Sequence, residues 1–180
     1  MNIIAAVDSA FGIAKNNDLP WHLPKEYAHF VRQTTQTKDE HKLNAVVMGR
    51  KCWESIPEKY RPLKKRVNVV LSRSMAPLVN EHIIVVAELD EALKILTESD
   101  LFKHRIETIW NIGGREIYRA GLAHPWMHKL VLTYIERDFG CDLHFPDVDW
   151  SAFARNADFD DHSPVEEKGV TWRVVSYTKN

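Results

Sequence analysis

At 180 residues, 44% hydrophobic and 27% charged, the chain is long enough for one well-buried domain, and its composition excludes a disordered or membrane-embedded protein. Twenty-four Lys and Arg against twenty-five Asp and Glu leave a net charge of −1. Nothing global therefore draws the molecule to nucleic acid or acidic lipid, and any anion site has to be local.

The first residues carry no basic leader and no span-length apolar run, and Cys52 and Cys141 are the only thiols. The expectation is a cytoplasmic protein without a membrane segment or a disulfide. Nine histidines are scattered without a His-Glu-x-x-His or paired Cys-x-x-Cys spacing, so they are expected at the surface and no metal site is expected.

In chain order, residues 3–7 form a continuous apolar run, the pattern of a strand buried on both faces. Residues 8–18 read as a polar loop. Pro20 and Pro24 stiffen the next segment, and Pro24 suits a first helical position, so a helix is expected from Pro24 to about Thr34. Residues 44–48 are a second buried strand, stopped by Gly49, and 50–56 a short helix ended by Pro57. A basic, proline-containing segment leads to a third strand at 67–71, and 82–86 is a fourth. Leu89, Ala92, Leu93 and Leu96 fall at i, i+3, i+4 and i+7, the clearest amphipathic helix in the chain. Residues 106–112 are a fifth strand, broken by Gly113-Gly114 before a helix through Ile117, Tyr118 and Leu122. Residues 129–135 are a sixth. The acidic stretch 151–169 is turn-like, and 170–177 is the last strand. Strands alternating with helices argue an α/β domain with a largely parallel sheet covered on both faces, and two final strands without a helix between them argue an antiparallel edge.

Glu26 stands out because a single carboxylate falls among Trp21, Tyr27 and Phe30 at the start of a helix. Two readings compete. An acid in a first turn is favoured by the macrodipole and by unsatisfied N–H groups; an acid one turn from Phe30 also looks over an aromatic surface suited to a planar ligand. Elsewhere Gly49-Arg50-Lys51, Ser72-Arg73 and Gly113-Gly114-Arg115 come directly after strands, where an open parallel sheet binds ligands. Together they supply guanidinium groups and a glycine-lined helix start for phosphates. Each alone also reads as an ordinary solvated turn, and no Gly-x-Gly-x-x-Gly comes after the first strand.

Taken in order, Leu19-Pro20-Trp21 with Glu26, Val47-Met48-Gly49-Arg50, Trp53-Glu54-Ser55-Ile56-Pro57, Arg61-Pro62-Leu63 with Arg66, Leu71-Ser72-Arg73, Ile112-Gly113-Gly114 with Tyr118, Asp142-Leu143-His144-Phe145-Pro146, and Glu166-Glu167-Lys168-Gly169 resemble the dihydrofolate reductase family of the monofunctional eukaryotic type. The resemblance spans nearly the whole chain. It implies a single domain over 1–180 with an adenosine-binding subdomain at roughly 40–105. The implied fold is a twisted, mostly parallel sheet of about eight strands with an antiparallel C-terminal edge and about four flanking helices. The implied reaction is reduction of 7,8-dihydrofolate by NADPH, hydride passing to C6 and a proton to N5, in a monomer that also binds antifolates.

By the same resemblance Glu26 pairs with the pterin, supported by Trp21, Leu19 and Thr133. Ile4, Ala5, Tyr27, Phe30, Ser55, Ile56, Leu63, Ile112 and Tyr118 line the substrate site, and Arg66 takes the glutamate α-carboxylate. Ala6, Ile13, Gly49, Arg50, Lys51, Cys52, Leu71, Ser72, Arg73, Gly113, Gly114, Arg115, Glu116 and Ile117 hold the cofactor, with Arg50, Ser72 and Arg73 at the 2′-phosphate. Cis peptides are implied at Arg61-Pro62 and Gly113-Gly114. Several positions depart from the pattern. Cys52 replaces a usual Thr, and its place beside Lys51 at a helix start suggests an activated thiol. Ala14 and Asn17 replace frequent glycines, Tyr60 replaces a common Asn, and Asn111 needs a partner in a buried strand end. The competing functions are another NADPH-dependent reductase on this fold, such as a pyrimidine reductase of riboflavin synthesis, and a non-catalytic folate- or nucleotide-binding protein. Glu26, Phe30 and Arg66 together favour a pterin-glutamate substrate over the first, and the acid, Trp21 and the phosphate readers present together speak against the second.

Overall fold

Period-two burial decides which face of the sheet each strand residue covers. The computed structural model describes residues 1–157 and 163–180. Its elements are β1 (Asn2–Val7), β2 (Gly12–Ala14), α1 (Pro24–Thr35), β3 (Leu43–Gly49), α2 (Arg50–Ser55), β4 (Arg66–Leu71), β5 (Leu78–Val79), β6 (Ile83–Val86), α3 (Leu89–Glu98), β7 (Ile106–Gly113), α4 (Arg115–Ala123), β8 (Lys129–Ile135), β9 (Leu143–His144), β10 (Phe153–Arg155), β11 (Val165–Glu167) and β12 (Val170–Lys179).

Among the described residues ten strands form the main sheet in the order β10-β12-β8-β1-β7-β3-β4-β6-β5, with β11 paired to β12. The neighbours from β8 through β1, β7, β3 and β4 to β6 are parallel, and β12 runs antiparallel to β8, with β10 and β11 antiparallel to β12 beyond it. Three short strands, β5, β10 and β11, add to the number expected from the sequence. They carry two or three residues each, too few for a hydrophobic period to register.

Alternate residues of β3, Val46 and Met48, join Ile4, Val70, Trp110, Val131 and Trp172 in one core cluster, against which Phe30, Trp53 and Ile56 pack. Ala45 and Val47 face the other way, with Val67, Val69, Ile84, Val86 and the α3 residues Ala92 and Leu96. A third cluster on the α4 side gathers Ile3, Ala5, Val7, Leu130, Leu132 and Tyr118. So α1 and α2 cover one face, and α3 and α4 the other.

Two local readings are corrected. The segment 8–18 is not simply a loop: Gly12 and Ala14 pair with His144 and Leu143 in a small two-stranded sheet, which needs a partner from far along the chain and leaves only a three-residue pattern. Within 151–169, β10 and β11 are strands recruited by β12; residues 158–162 of that stretch lie outside the described residues. The hairpin joining β11 to β12 turns through Lys168 (φ 50°) and Gly169 (φ 76°), two successive left-handed residues as a tight hairpin requires.

Candidate active site

Because β1, β3, β4, β6 and β7 are parallel, their C-terminal ends share one rim. Gly49 registers with Leu71, Met48 with Gly113 and Leu71 with Val86. Gly49-Arg50, Ser72-Arg73 and Gly113-Gly114 therefore emerge side by side, beside the loop that leaves β1. The strand order reverses at β1, with β7 and β3 on one side and β8 on the other, which is where an open α/β sheet forms its ligand crevice.

Glu26 enters this crevice from the first turn of α1. Leu23, at the N-cap position, makes no side-chain cap bond. The helix start is satisfied from far along the chain: Glu167 accepts the backbone N–H of Lys25 at 2.7 Å and of Glu26 at 3.3 Å, and the indole Nε1 of Trp172 at 3.2 Å. The Glu26 side chain is thereby released from capping. Its Oε1 accepts a hydrogen bond from Thr133 Oγ1 at 2.9 Å, and the residue is 8% exposed. Burial raises its pKa from 4.5 to about 7; the Thr133 bond opposes that shift and the Glu167 charge reinforces it. Trp21, also buried, has its ring 5.3 Å from Phe139, and its indole Nε1 has no protein partner among the described residues.

Ile4, Ala6, Trp21, Phe30, Ile56, Leu63 and Ile112 lie in one apolar cluster on the face of the sheet that α1 covers. Tyr27 and Phe30 stack at 5.9 Å, and Tyr27 is half exposed, so an aromatic surface opens at the mouth. Arg66 is buried and oriented by two bonds, Nε to Lys64 O at 2.9 Å and Nη1 to Thr34 Oγ1 at 2.9 Å. Leu19 is exposed on the loop, and Ser55, also exposed, donates its hydroxyl to Cys52 O.

Other expected residues stand apart from this surface. Ala5 and Ile13 pack on the opposite face with the Tyr118 ring, although the Tyr118 hydroxyl reaches back to Ile4 O and Ile112 O, each at 3.0 Å. Leu71 and Ile117 belong to the α3-side core. The Arg115 side chain turns to His144 O at 3.4 Å, and Glu116 pairs with Arg119, leaving the α4 backbone rather than these side chains at the rim.

A dinucleotide fits the donor set on this rim. Arg50, Lys51 and Arg73 are exposed cations beside Ser72. A Cβ at Gly114 would meet nothing within 4 Å, while one at Gly113 would strike the Tyr118 ring at 2.7 Å. Gly113 thus seats the rim on Tyr118, and Gly114 leaves the start of α4 open to close approach by phosphate. The Arg61-Pro62 and Gly113-Gly114 peptides are both cis.

Two expectations are overturned. Cys52 is not activated: burial pushes its thiol up to about 11, and it packs against the Val46, Met48 and Leu63 cluster, so desolvation outweighs the neighbouring lysine. His29 is not at the surface; it is 8% exposed, and burial first and the Arg32 charge second lower its pKa to about 4. Asn111 finds its partners, donating to Ile117 O at 2.7 Å and accepting the N–H of Gly113 at 3.1 Å.

Sequence reasoning assigned no role to Glu167, Thr34 or Asp8. Asp8, 2% exposed, gathers the base of the active-site loop: Oδ1 accepts Ala10 N at 2.9 Å and Gly12 N at 2.7 Å, and Oδ2 accepts Phe139 N at 3.0 Å and the Cys141 thiol at 3.5 Å. Burial disfavours its charge, but the N–H bonds from Phe139, Gly12 and Ala10 outweigh it and hold the carboxyl below its ordinary range. Lys168-Gly169 ahead of Val170 and Trp172 is the hairpin signal that brings Glu167 to Trp172.

The chain matches the family model described as dihydrofolate reductase over residues 1–179. It is 40% identical to the dihydrofolate reductase of Sus scrofa, covering 100% of this chain and 98% of that protein. It is 43% identical to that of Heliothis virescens over 85% of this chain and 82% of the other. Among solved structures, the Schistosoma mansoni dihydrofolate reductase superposes with a TM-score of 0.86 at 32% identity, covering 99% of this chain and 97% of that one.

Proposed function

The chain belongs to the dihydrofolate reductase family and reduces dihydrofolate, and on that premise we propose that its reductant is NADPH and that Glu26 is the group that binds and polarises the pterin. The observation that carries this reading is the buried Glu26 carboxyl, held by Thr133 and raised to about 7. A pterin presents adjacent N–H donors that one carboxylate accepts in a bidentate way, and a low-dielectric surround strengthens that pairing. An acid with a pKa near neutrality also holds a proton in reach of the ring at working pH.

The remaining residues position. Phe30, Ile56 and Leu63 flank the ring system and exclude water. Arg66, pre-oriented by Thr34 and Lys64 O, offers its guanidinium to the substrate's glutamate carboxylate, a bidentate task that lysine serves poorly. Ala6, Ile112 and the Gly113-Gly114 turn flank the nicotinamide, while Arg50, Ser72 and Arg73 take the 2′-phosphate. When bound, NADPH supplies the hydride. The half built on β3, β4, β6, α2 and α3, roughly residues 40–105, is the adenosine-binding part. No helix among the described residues is long and apolar enough to cross a membrane; a monomer in the cytoplasm, open to antifolates at the Glu26 site, completes the reading.

Loss of NADPH absorbance on adding dihydrofolate tests it. The unmodified protein is expected to turn over at neutral pH, and Glu26→Gln to lose about 100-fold or more in kcat. A Glu26→Gln protein with undiminished activity removes the acid's assigned role.

A further inference from the structure

We propose that Glu88 is a specificity-determining residue that narrows the chain's preference for NADPH over NADH. The inference rests on the reading of Arg73 as the 2′-phosphate contact. It starts from the register of two strands. Leu71 of β4 lies beside Val86 of β6 in a parallel pair, so Ser72-Arg73 and Ala87-Glu88 leave the sheet together at the same rim. There the Arg73 guanidinium donates from Nη2 at 3.1 Å and from Nε at 3.3 Å to a single oxygen, Glu88 Oε1.

The position of Glu88 in its helix makes this pairing informative. Glu88 is the N-cap residue of α3, where a short polar side chain ordinarily accepts a backbone N–H of the first turn. It makes no such bond. Its carboxylate extends across the rim to Arg73, and both side chains are open to solvent, Arg73 at 82% and Glu88 at 61% exposure.

A carboxylate at this place acts in opposite directions on the two cofactors. A ribose 2′-phosphate must compete with Glu88 for the Arg73 donors and meets a like charge beside it. A 2′-hydroxyl is a donor that a carboxylate accepts, as the acid after a strand does in NAD-binding α/β sheets. Arg73 thus rewards the phosphate while Glu88 penalises it and suits the hydroxyl. Because the pair is exposed, solvent and salt limit the effect to a modest factor.

The test measures binding, not turnover, on the full chain. Dissociation constants for NADPH, NADH and adenosine 2′,5′-bisphosphate are determined calorimetrically at low and high salt for the unmodified protein, Glu88→Gln, Glu88→Ala, Arg73→Gln and the Arg73→Gln/Glu88→Gln double variant. Glu88→Gln and Glu88→Ala are expected to tighten NADPH and the bisphosphate about 3- to 10-fold at low salt, with NADH unchanged or weaker and the gain shrinking at high salt. In the Arg73→Gln background the Glu88 substitution is expected to gain less. An NADPH-to-NADH affinity ratio identical in the unmodified protein and both Glu88 variants overturns the proposal while leaving the cofactor reading intact. No detectable NADPH binding by the unmodified protein overturns both.

Discussion

The Glu26 carboxylate and the Glu167 carboxylate illustrate how one residue type takes two protonation states within one site. Glu167 is buried too, which works against its charge, but N–H bonds from Lys25, Trp172 and Glu26 outweigh burial and hold it below the ordinary carboxylate range. Glu26 has one hydroxyl donor against a larger desolvation and a negative neighbour, so it is raised. Replacing Glu167 with Gln removes that negative neighbour and one good acceptor. The expected outcome is a Glu26 that titrates at lower pH, so that the fall in kcat/KM on the alkaline side begins earlier. The variant is also expected to lose about 1–2 kcal/mol of stability from the helix start. A pH–rate profile and a urea titration of the Glu167→Gln protein check the two effects separately; an unshifted profile removes the electrostatic coupling between the acids.

At the scale of elements, close approach explains several fixed residues. Gly121 lets α4 settle on the sheet, since a Cβ there would meet Asn111 Nδ2 at 2.4 Å and Ile3 Cδ1 at 3.2 Å. Asn111 in turn ties α4 to the end of β7 through Ile117 O and Gly113 N. Gly121→Ala is therefore expected to cost about 1–3 kcal/mol, read as a lowered urea midpoint, and to loosen the Gly113-Gly114 rim enough to weaken NADPH binding. The active-site loop has a comparable anchor in Asp8, whose Oδ2 bond to Phe139 N holds the ring that packs on Trp21. In Asp8→Asn either the Nδ2 amide confronts the Phe139 N–H or, flipped, it confronts those of Ala10 and Gly12. Amide exchange in residues 8–18 is expected to accelerate and Trp21 fluorescence to change, with kcat affected more than Tm. Unaltered exchange would show that the loop is held without Asp8.

For the whole molecule, two buried titratable groups on α1 oppose each other in the dependence of stability on pH. Glu26, raised from 4.5 to about 7, stabilises the fold below pH 4.5, and that contribution is lost as pH rises through 7. His29, lowered from 6.5 to about 4, contributes stability above pH 6.5 that is lost as pH falls through 4. Each is on the order of 3 kcal/mol, so over the shared window they largely offset one another. Chemical denaturation between pH 4 and pH 8 is expected to separate them. Glu26→Gln exposes the His29 contribution, losing stability relative to the unmodified protein as pH falls; His29→Leu exposes the Glu26 contribution and gains relative to it. Parallel curves for all three proteins would contradict both assignments.

Legible along the chain were the strands with four or more apolar residues, the four helices, the parallel character of the sheet and the ordered motifs at the strand ends. These rest on local periodicity and turn chemistry, which the chain carries in consecutive residues. Only the tertiary fold shows that Glu167 satisfies the helix start at Glu26. A first-turn acid is ambiguous until another group satisfies the helix start, and that group, Glu167, lies 141 residues along the chain on a three-residue strand with too short a pattern to read. It likewise decided that Cys52 is inert and His29 buried, because desolvation depends on atoms brought together from several elements. Arg73 shows the same division: its place after β4 is legible in the sequence as a candidate for the proposed phosphate contact, and only the register of β4 with β6 sets Glu88 against it.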